Sequence, residues 1–173
     1  MNSLFTSKDV VYDPALVEIW HNAEATFAIK AFDKRTGRYV VRTSITNQPP
    51  GEFYATLGTI GTKRFLEFTP QRPDAIHQKS FFGGHFLHLN SFWKVGLSGD
   101  QLTLTPMSIQ WLDTMIKNQK VSIKHEDGGV LFLTATTLEL QEFVAEYADD
   151  PGAFPFPSTG DAGRSVFVRS PVN

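Results

Sequence analysis

The chain has 173 residues, of which 41% are hydrophobic and 20% are charged, and it contains no cysteine. This length suits one compact domain with a sizeable core, so we expect a single domain over residues 1–173. The 16 basic and 18 acidic residues nearly cancel and form no basic run, which argues against nucleic acid as a partner. The lack of cysteine excludes disulfides, thiolate metal sites and cysteine nucleophiles.

The sequence also lacks membrane signals. No window approaches the roughly 20 apolar residues of a membrane span, and the first residues lack the apolar core of a signal peptide. We therefore expect no transmembrane segment. The compartment stays open, because the chain is cytoplasmic as written and exported if a signal peptide was removed. The oligomeric state is equally open.

The first predicted elements are a short helix and two hairpins. Asp13 and Pro14 stand in the order of an N-cap and a first helical residue, which predicts a short helix within residues 13–20. Apolar and polar residues then alternate in two pairs of strands, each pair joined by a glycine-containing turn. These strands cover residues 25–33, 38–46, 52–60 and 63–69. Residues 70–79, with Pro70 and Pro73, predict a longer loop.

A third hairpin and two helices follow. Residues 85–95 and 101–105 predict two more strands, which complete a meander of six. Ser108 is a plausible cap for a helix with apolar residues from Ile109 to Ile116, and Thr136 and Glu139 have capping-box spacing for a second helix. Three further elements complete the prediction: strands at 121–124 and 130–134 around a turn, and a last strand at 164–169.

This order of elements predicts the fold class. Six meandering strands have exposed edges unless they close, and the last strand supplies a closure. We expect a mainly β fold, in which an antiparallel meander closes into a barrel, with a short N-terminal helix and two helices in the C-terminal half. Alternation predicts the inward-facing residues, and such an interior is either filled or holds one small ligand. The inward set is Phe27, Ile29, Ala31, Tyr39, Val41, Ile45, Phe53, Ala55 and Leu57.

A family resemblance points the same way. Trp20 before the meander and a helix before the last strand resemble the lipocalin-like, or calycin, barrels. The stretches "RFLEFTP" (residues 64–70) and "LFLTATTLELQEFVAEYADDPGAF" (residues 131–154) are similar to segments of uncharacterised bacterial lipocalin-like proteins, some of them exported as lipoproteins. The resemblance implies a barrel that binds a small apolar molecule, and it brings no catalytic residues.

Histidines and carboxylates predict no metal or cofactor site. His85 and His88 lie three apart on a predicted strand, so their side chains are expected on opposite faces. The other histidines have no ligand spacing. Glu67 lies between Phe65 and Phe68, where it either points inward and needs a partner such as Arg42 or Arg64, or points outward to solvent.

The leading functional hypothesis is therefore binding of a small apolar molecule inside the barrel. The first candidate ligand-binding residues are Arg42, Tyr54, His88 and Trp93. One alternative is an interaction or scaffold module that uses the barrel exterior and the loop at 70–83. A hydrolase or isomerase is a weaker alternative, because no Gly-x-Ser-x-Gly elbow, phosphate loop or assembled acid–base set occurs, and we expect no enzyme.

Overall fold

A computed structural model describes residues 2–71, 90–127, 131–155 and 166–170. Those residues form ten strands, two α-helices and two single 3-10 turns, at Pro14–Leu16 and Lys34–Thr36. The strands are β1 (Ile19–His21), β2 (Ala25–Asp33), β3 (Arg38–Ile45), β4 (Gly51–Ile60), β5 (Lys63–Pro70), β6 (Ser91–Ser98), β7 (Gln101–Pro106), β8 (His125–Asp127), β9 (Leu131–Leu133) and β10 (Val166–Arg169). The helices are α1 (Ile109–Lys117) and α2 (Thr137–Tyr147).

Eight of these strands close into an antiparallel barrel. Strands β2 to β7 pair in sequence order, and β1 and β10 lie between β2 and β7 to complete the ring. Strands β8 and β9 form a separate hairpin outside it. The predicted mainly β fold, its barrel closure by the last strand and its two C-terminal helices are confirmed. The barrel is of the kind that lipocalin-like proteins have.

The barrel interior is an apolar core. It contains most of the residues that alternation predicted, including Phe27, Tyr39 and Leu57. Ala31 is exposed instead, because the β2–β3 register shifts between Ala31 and Asp33 and the alternation fails there. Ile45 is only half-buried, since it lies at the end of its strand.

A second apolar core, the outer core, lies outside the barrel. Phe65 and Phe92 point outward from β5 and β6 and are covered by both helices. The N-terminal segment, residues 2–10, also packs here through Leu4 and Phe5. Thr136 and Glu139 form the predicted capping box at the start of α2, and Ser108 caps α1. The two described helices therefore cover the side of the barrel that β5 and β6 form, and no described residue of β2 or β3 belongs to this core.

Three elements differ from the prediction. The helix expected within 13–20 is a single 3-10 turn, because Trp20 already belongs to β1. Residues 121–124 are not a strand, since Val121 and Ile123 pack into the outer core, and pairing begins at His125. Strand β6 is described from Ser91, and the predicted strand residues 85–89 lie outside the described part of the chain. Within that part, neither α-helix has the length and apolar character needed to cross a bilayer.

Candidate functional site at the barrel mouth

One end of the barrel is closed by its own side chains. The 3-10 turn Pro14–Leu16 brings Leu16 over this end. The indole N–H of Trp20 donates to the Leu16 carbonyl at 3.0 Å. The Arg169 guanidinium lies 5.4 Å from the Trp20 ring centroid, in a cation–π contact. Trp20 and Leu16 are fully buried. Described side chains therefore fill this end of the barrel.

Hydrogen bonds of Asp13 also hold the closed end of the barrel together. The backbone N–H of Asp13 donates to the Tyr39 hydroxyl at 2.8 Å, and this hydroxyl donates to the Asp13 carbonyl at 3.1 Å. Burial raises the pKa of Tyr39, so the hydroxyl stays protonated and can donate. The Asp13 carboxylate accepts from Arg64 at 2.7 Å. The closed end is thus both packed and hydrogen-bonded.

The opposite end, the mouth, holds a cavity of about 550 Å³. Its apolar lining is aromatic: Phe27 and Phe167 meet edge to face at 4.9 Å, and Trp93 packs against Phe68 at 5.7 Å. Ala25 and Ile45 extend the apolar lining. A volume of this size suits one small molecule. In the described part of the chain, side chains therefore fill the closed half of the barrel, and the cavity lies at the mouth.

Two hydrogen-bonded turns shape the rim of this cavity. In the β1–β2 turn, the Asn22 carboxamide oxygen accepts from the N–H groups of Glu24 and Ala25, at 2.9 and 2.8 Å. In the β3–β4 turn, Thr46 donates through both its N–H and its hydroxyl to the Glu24 carbonyl, at 2.8 and 3.0 Å. Because the two turns are bonded to each other, this side of the rim is preorganised.

The rim is polar but carries no positive charge among the described residues that line it. Asn47 and Gln48 bring carboxamides to the cavity, and Glu24 is its one acidic residue there. Asn47 has a positive φ of 62°, a backbone conformation that asparagine tolerates well. The carboxamides of Asn47 and Gln48 can donate hydrogen bonds to a polar ligand group or accept them from it.

Of the four candidate ligand-binding residues, the structure describes Arg42, Tyr54 and Trp93, and it does not bring these three together. Trp93 faces the cavity. Arg42 and Tyr54 lie on the outer face of the barrel, where Arg42 pairs with Glu52 and Tyr54 contacts Phe32. The backbone register explains this placement, since the neighbours of Arg42 in β3, Val41 and Thr43, are buried inside. His88, and His85 with it, lie outside the described residues.

Glu67 follows neither of its two predicted alternatives. It points away from the interior, yet it is only 4% exposed, because the N-terminal segment covers it. Its carboxylate accepts from the Ser3 hydroxyl at 2.7 Å and from the Leu4 N–H at 2.9 Å. Glu67 therefore anchors the N-terminal segment to the barrel wall.

Sequence reasoning missed the rim residues Asn22, Asn47 and Gln48. The strand order could have indicated them, since the turns after β1 and β3 must lie at the same end of an antiparallel barrel. Among the described residues, no group of three or more histidine, aspartate or glutamate side chains is arranged to hold a metal ion.

Comparisons with known proteins add no family assignment. No protein-family profile matches the chain, and neither the curated proteins nor the solved structures contain a significant match.

Proposed function

We propose that this protein binds one small, largely apolar molecule in the mouth of its barrel. The observation that carries the proposal is the cavity of about 550 Å³ that Phe27, Phe167 and Trp93 line, at the end of the barrel opposite to the one that Trp20 and Leu16 fill. Apolar walls with a few oriented polar groups at one side are the usual form of a small-molecule site. The barrel acts as a binder of this molecule and not as an enzyme.

The rim narrows the class of ligand. The apolar part of the ligand contacts Phe27, Phe167 and Trp93, while its polar end reaches the carboxamides of Asn47 and Gln48. A carboxylate end group would leave water without a basic side chain among the described residues that line the cavity. An alcohol, ester or ketone avoids this cost of desolvating a charge. We therefore expect a long-chain alcohol to bind more tightly than the carboxylate of equal length.

Fluorescence titration with N-phenyl-1-naphthylamine, an uncharged apolar probe, tests the site. Trp93→Ala removes one wall of the cavity and should weaken probe binding at least tenfold, as expected when a large aromatic contact is lost. Ile45→Gln is a second variant, which places a polar side chain in the apolar lining. Phe32→Ala is the matched control, because Phe32 is an exposed aromatic residue on the outside of the barrel. Equal weakening by Phe32→Ala, or unchanged binding by both mouth variants, would reject the mouth as the site.

Displacement of the same probe tests the ligand class. Dodecanol and dodecanoate have the same chain length and differ in the charge of the end group. We expect dodecanol to displace the probe at the lower concentration. Stronger displacement by dodecanoate would mean that the charge at the rim does not select the ligand as proposed.

A further inference from the structure

The side of the barrel that the helices leave open is positively charged. This surface, the basic wall, consists of outward-facing residues of β2 and β3 and of the turn between them. Its members are Lys30, Phe32, Lys34, Arg35, Arg38 and Arg42. Residues 25–56 as a whole contain five lysines and arginines against two carboxylates, Asp33 and Glu52, in a chain of net charge −2.

The helical side of the molecule is acidic. Residues 109–150, which contain both helices, have eight aspartates and glutamates against three lysines. The helices pack with outward residues of β5 and β6, and α2 also contacts β4, whereas the basic wall lies on β2 and β3. Negative and positive charges are therefore concentrated on different faces of the protein, although its net charge is small.

The cations of the basic wall are largely available to a partner. Arg42 pairs with Glu52, but no ion pair joins Lys30, Arg35 or Arg38 to a carboxylate among the described residues. Arg38 stacks over the Tyr54 ring at 4.6 Å, which orients its guanidinium along the surface. These groups are exposed, so an anionic partner can reach them.

An aromatic side chain stands among these charges. Phe32 is 55% exposed on the outer face of β2, and it contacts Tyr54, at 5.1 Å between ring centroids, and the Arg38 guanidinium. Val40 pairs with Lys30 in β2 and with Tyr54 in β4, so the three side chains are neighbours on the outer face of the barrel. The wall thus combines positive charge with an apolar side chain that the fold itself does not bury.

We propose that the basic wall binds the surface of an anionic lipid bilayer. An anionic bilayer has negative headgroups that attract the lysines and arginines, and it has an apolar layer that can bury Phe32. Single-stranded nucleic acid fits less well, because it needs free aromatic faces for base stacking and the Arg38 guanidinium lies over both the Tyr54 and the Phe32 ring. This inference is independent of the ligand proposed for the mouth.

Cosedimentation with vesicles tests the proposal on the full chain. The vesicles contain phosphatidylcholine alone or phosphatidylcholine mixed with phosphatidylserine. We expect binding only to the mixture, and a decrease in binding as salt is added. The variant Lys30→Gln/Arg38→Gln should lower the partition coefficient about fivefold for each neutralised cation. Phe32→Ser should also lower it, without changing the net charge.

The matched control is Lys120→Gln/Lys124→Gln, which makes the same change of charge on the helix side. Both lysines are exposed, and the control should bind like the unmodified protein. Equal loss in the control, equal binding to both kinds of vesicle, or no sedimentation with either would overturn the proposal. Binding of a single-stranded oligonucleotide that depends on Lys30 and Arg38, without vesicle binding, would assign the wall to nucleic acid instead and overturn it as well.

Discussion

Glu67 shows how one buried carboxylate holds a chain terminus to the barrel. Its two oxygens accept from Ser3 and Leu4, and no ion pair with a described lysine or arginine accompanies these bonds. A buried carboxylate is tolerated when hydrogen-bond donors replace the lost water. Sequence reasoning identified Glu67 as unusual between Phe65 and Phe68, but the donors come from a segment more than sixty residues away, which no local pattern indicates.

Replacement of Glu67 should destabilise the protein in proportion to the acceptors lost. Glu67→Ala leaves the Leu4 N–H and the Ser3 hydroxyl without their acceptor, and should lower the free energy of unfolding by about 2–3 kcal/mol. Glu67→Gln keeps one acceptor oxygen and should cost about 1 kcal/mol. Urea denaturation of the two variants measures the difference. An alanine variant as stable as the unmodified protein would show that the contact contributes nothing.

Asp13 gives the closed end of the barrel a pH dependence. Burial acts to raise the pKa of its carboxyl, but the hydrogen bond from the Ala15 N–H and the contact with Arg64 outweigh burial, and the pKa lies below its ordinary value of 3.8. A carboxylate with a depressed pKa stabilises the folded state above its unfolded pKa. This stabilisation is lost as the pH falls from about 3.8 through the lower folded value.

The variant Asp13→Asn isolates this contribution. Asparagine is a good N-cap, but it has no charge for Arg64. We expect the variant to be less stable than the unmodified protein at neutral pH, and the difference to shrink as the pH falls below about 3.8. Other carboxylates titrate in both proteins and cancel in the comparison. Unfolding measured across this pH range would contradict the account if the difference stayed constant or grew.

Among the elements, the sequence predicted those with local signals. Capping residues predicted both helices, and the alternation of apolar and polar residues predicted strands β2 to β5 and strand β7. Strand β1 was missed, because Ile19, Trp20 and His21 are too few to show a period and follow a helix signal at Asp13. The N-terminal segment was missed as well, since its packing depends on distant partners. Local patterns cannot report contacts of that kind.

The N-terminal segment packs against β4 at one close point. The Phe5 ring lies so near Gly58 that a Cβ atom there would stand 2.4 Å from it. Gly58→Ala should therefore push Phe5 out of the outer core and cost about 1–3 kcal/mol. Gly96→Ala is the matched control in β6, where a Cβ would meet only Thr103 at an ordinary 3.5 Å. Chemical denaturation in which the two variants lose equal stability would contradict this packing.

At the scale of the whole molecule, the fold was predictable and the site only in part. Hydrophobic alternation and a late strand suffice to predict a closed barrel. Whether its interior is filled depends on side-chain volumes across the barrel, so the cavity among the described residues at the mouth could be found only from the structure. Of the proposed ligand contacts only Trp93 was named from the sequence, since a single strand does not show which of its faces meets a cavity.

The geometry of the whole barrel also explains why Arg42 and Tyr54 lie on its outer face and not at the mouth. Polar character suggested ligand contact, but strand alternation places both on the outer wall. There they join the charge separation between the basic wall and the acidic helices. The barrel thus offers two distinct surfaces, a mouth with an apolar lining and a cationic exterior, and the variants expected to weaken binding at one surface leave the other intact.

The central claim is that the mouth of the barrel is a ligand site, and amide chemical-shift mapping with ¹⁵N-labelled protein tests it most directly. On titration with dodecanol, we expect the largest shifts in residues 22–25, residues 45–48 and the indole N–H of Trp93. Residues of the basic wall and of α2 should shift little. Shifts concentrated outside the mouth, for example around Met107 and Leu131 beside α1, or no shifts with any apolar ligand that the probe assay detects, would contradict the account.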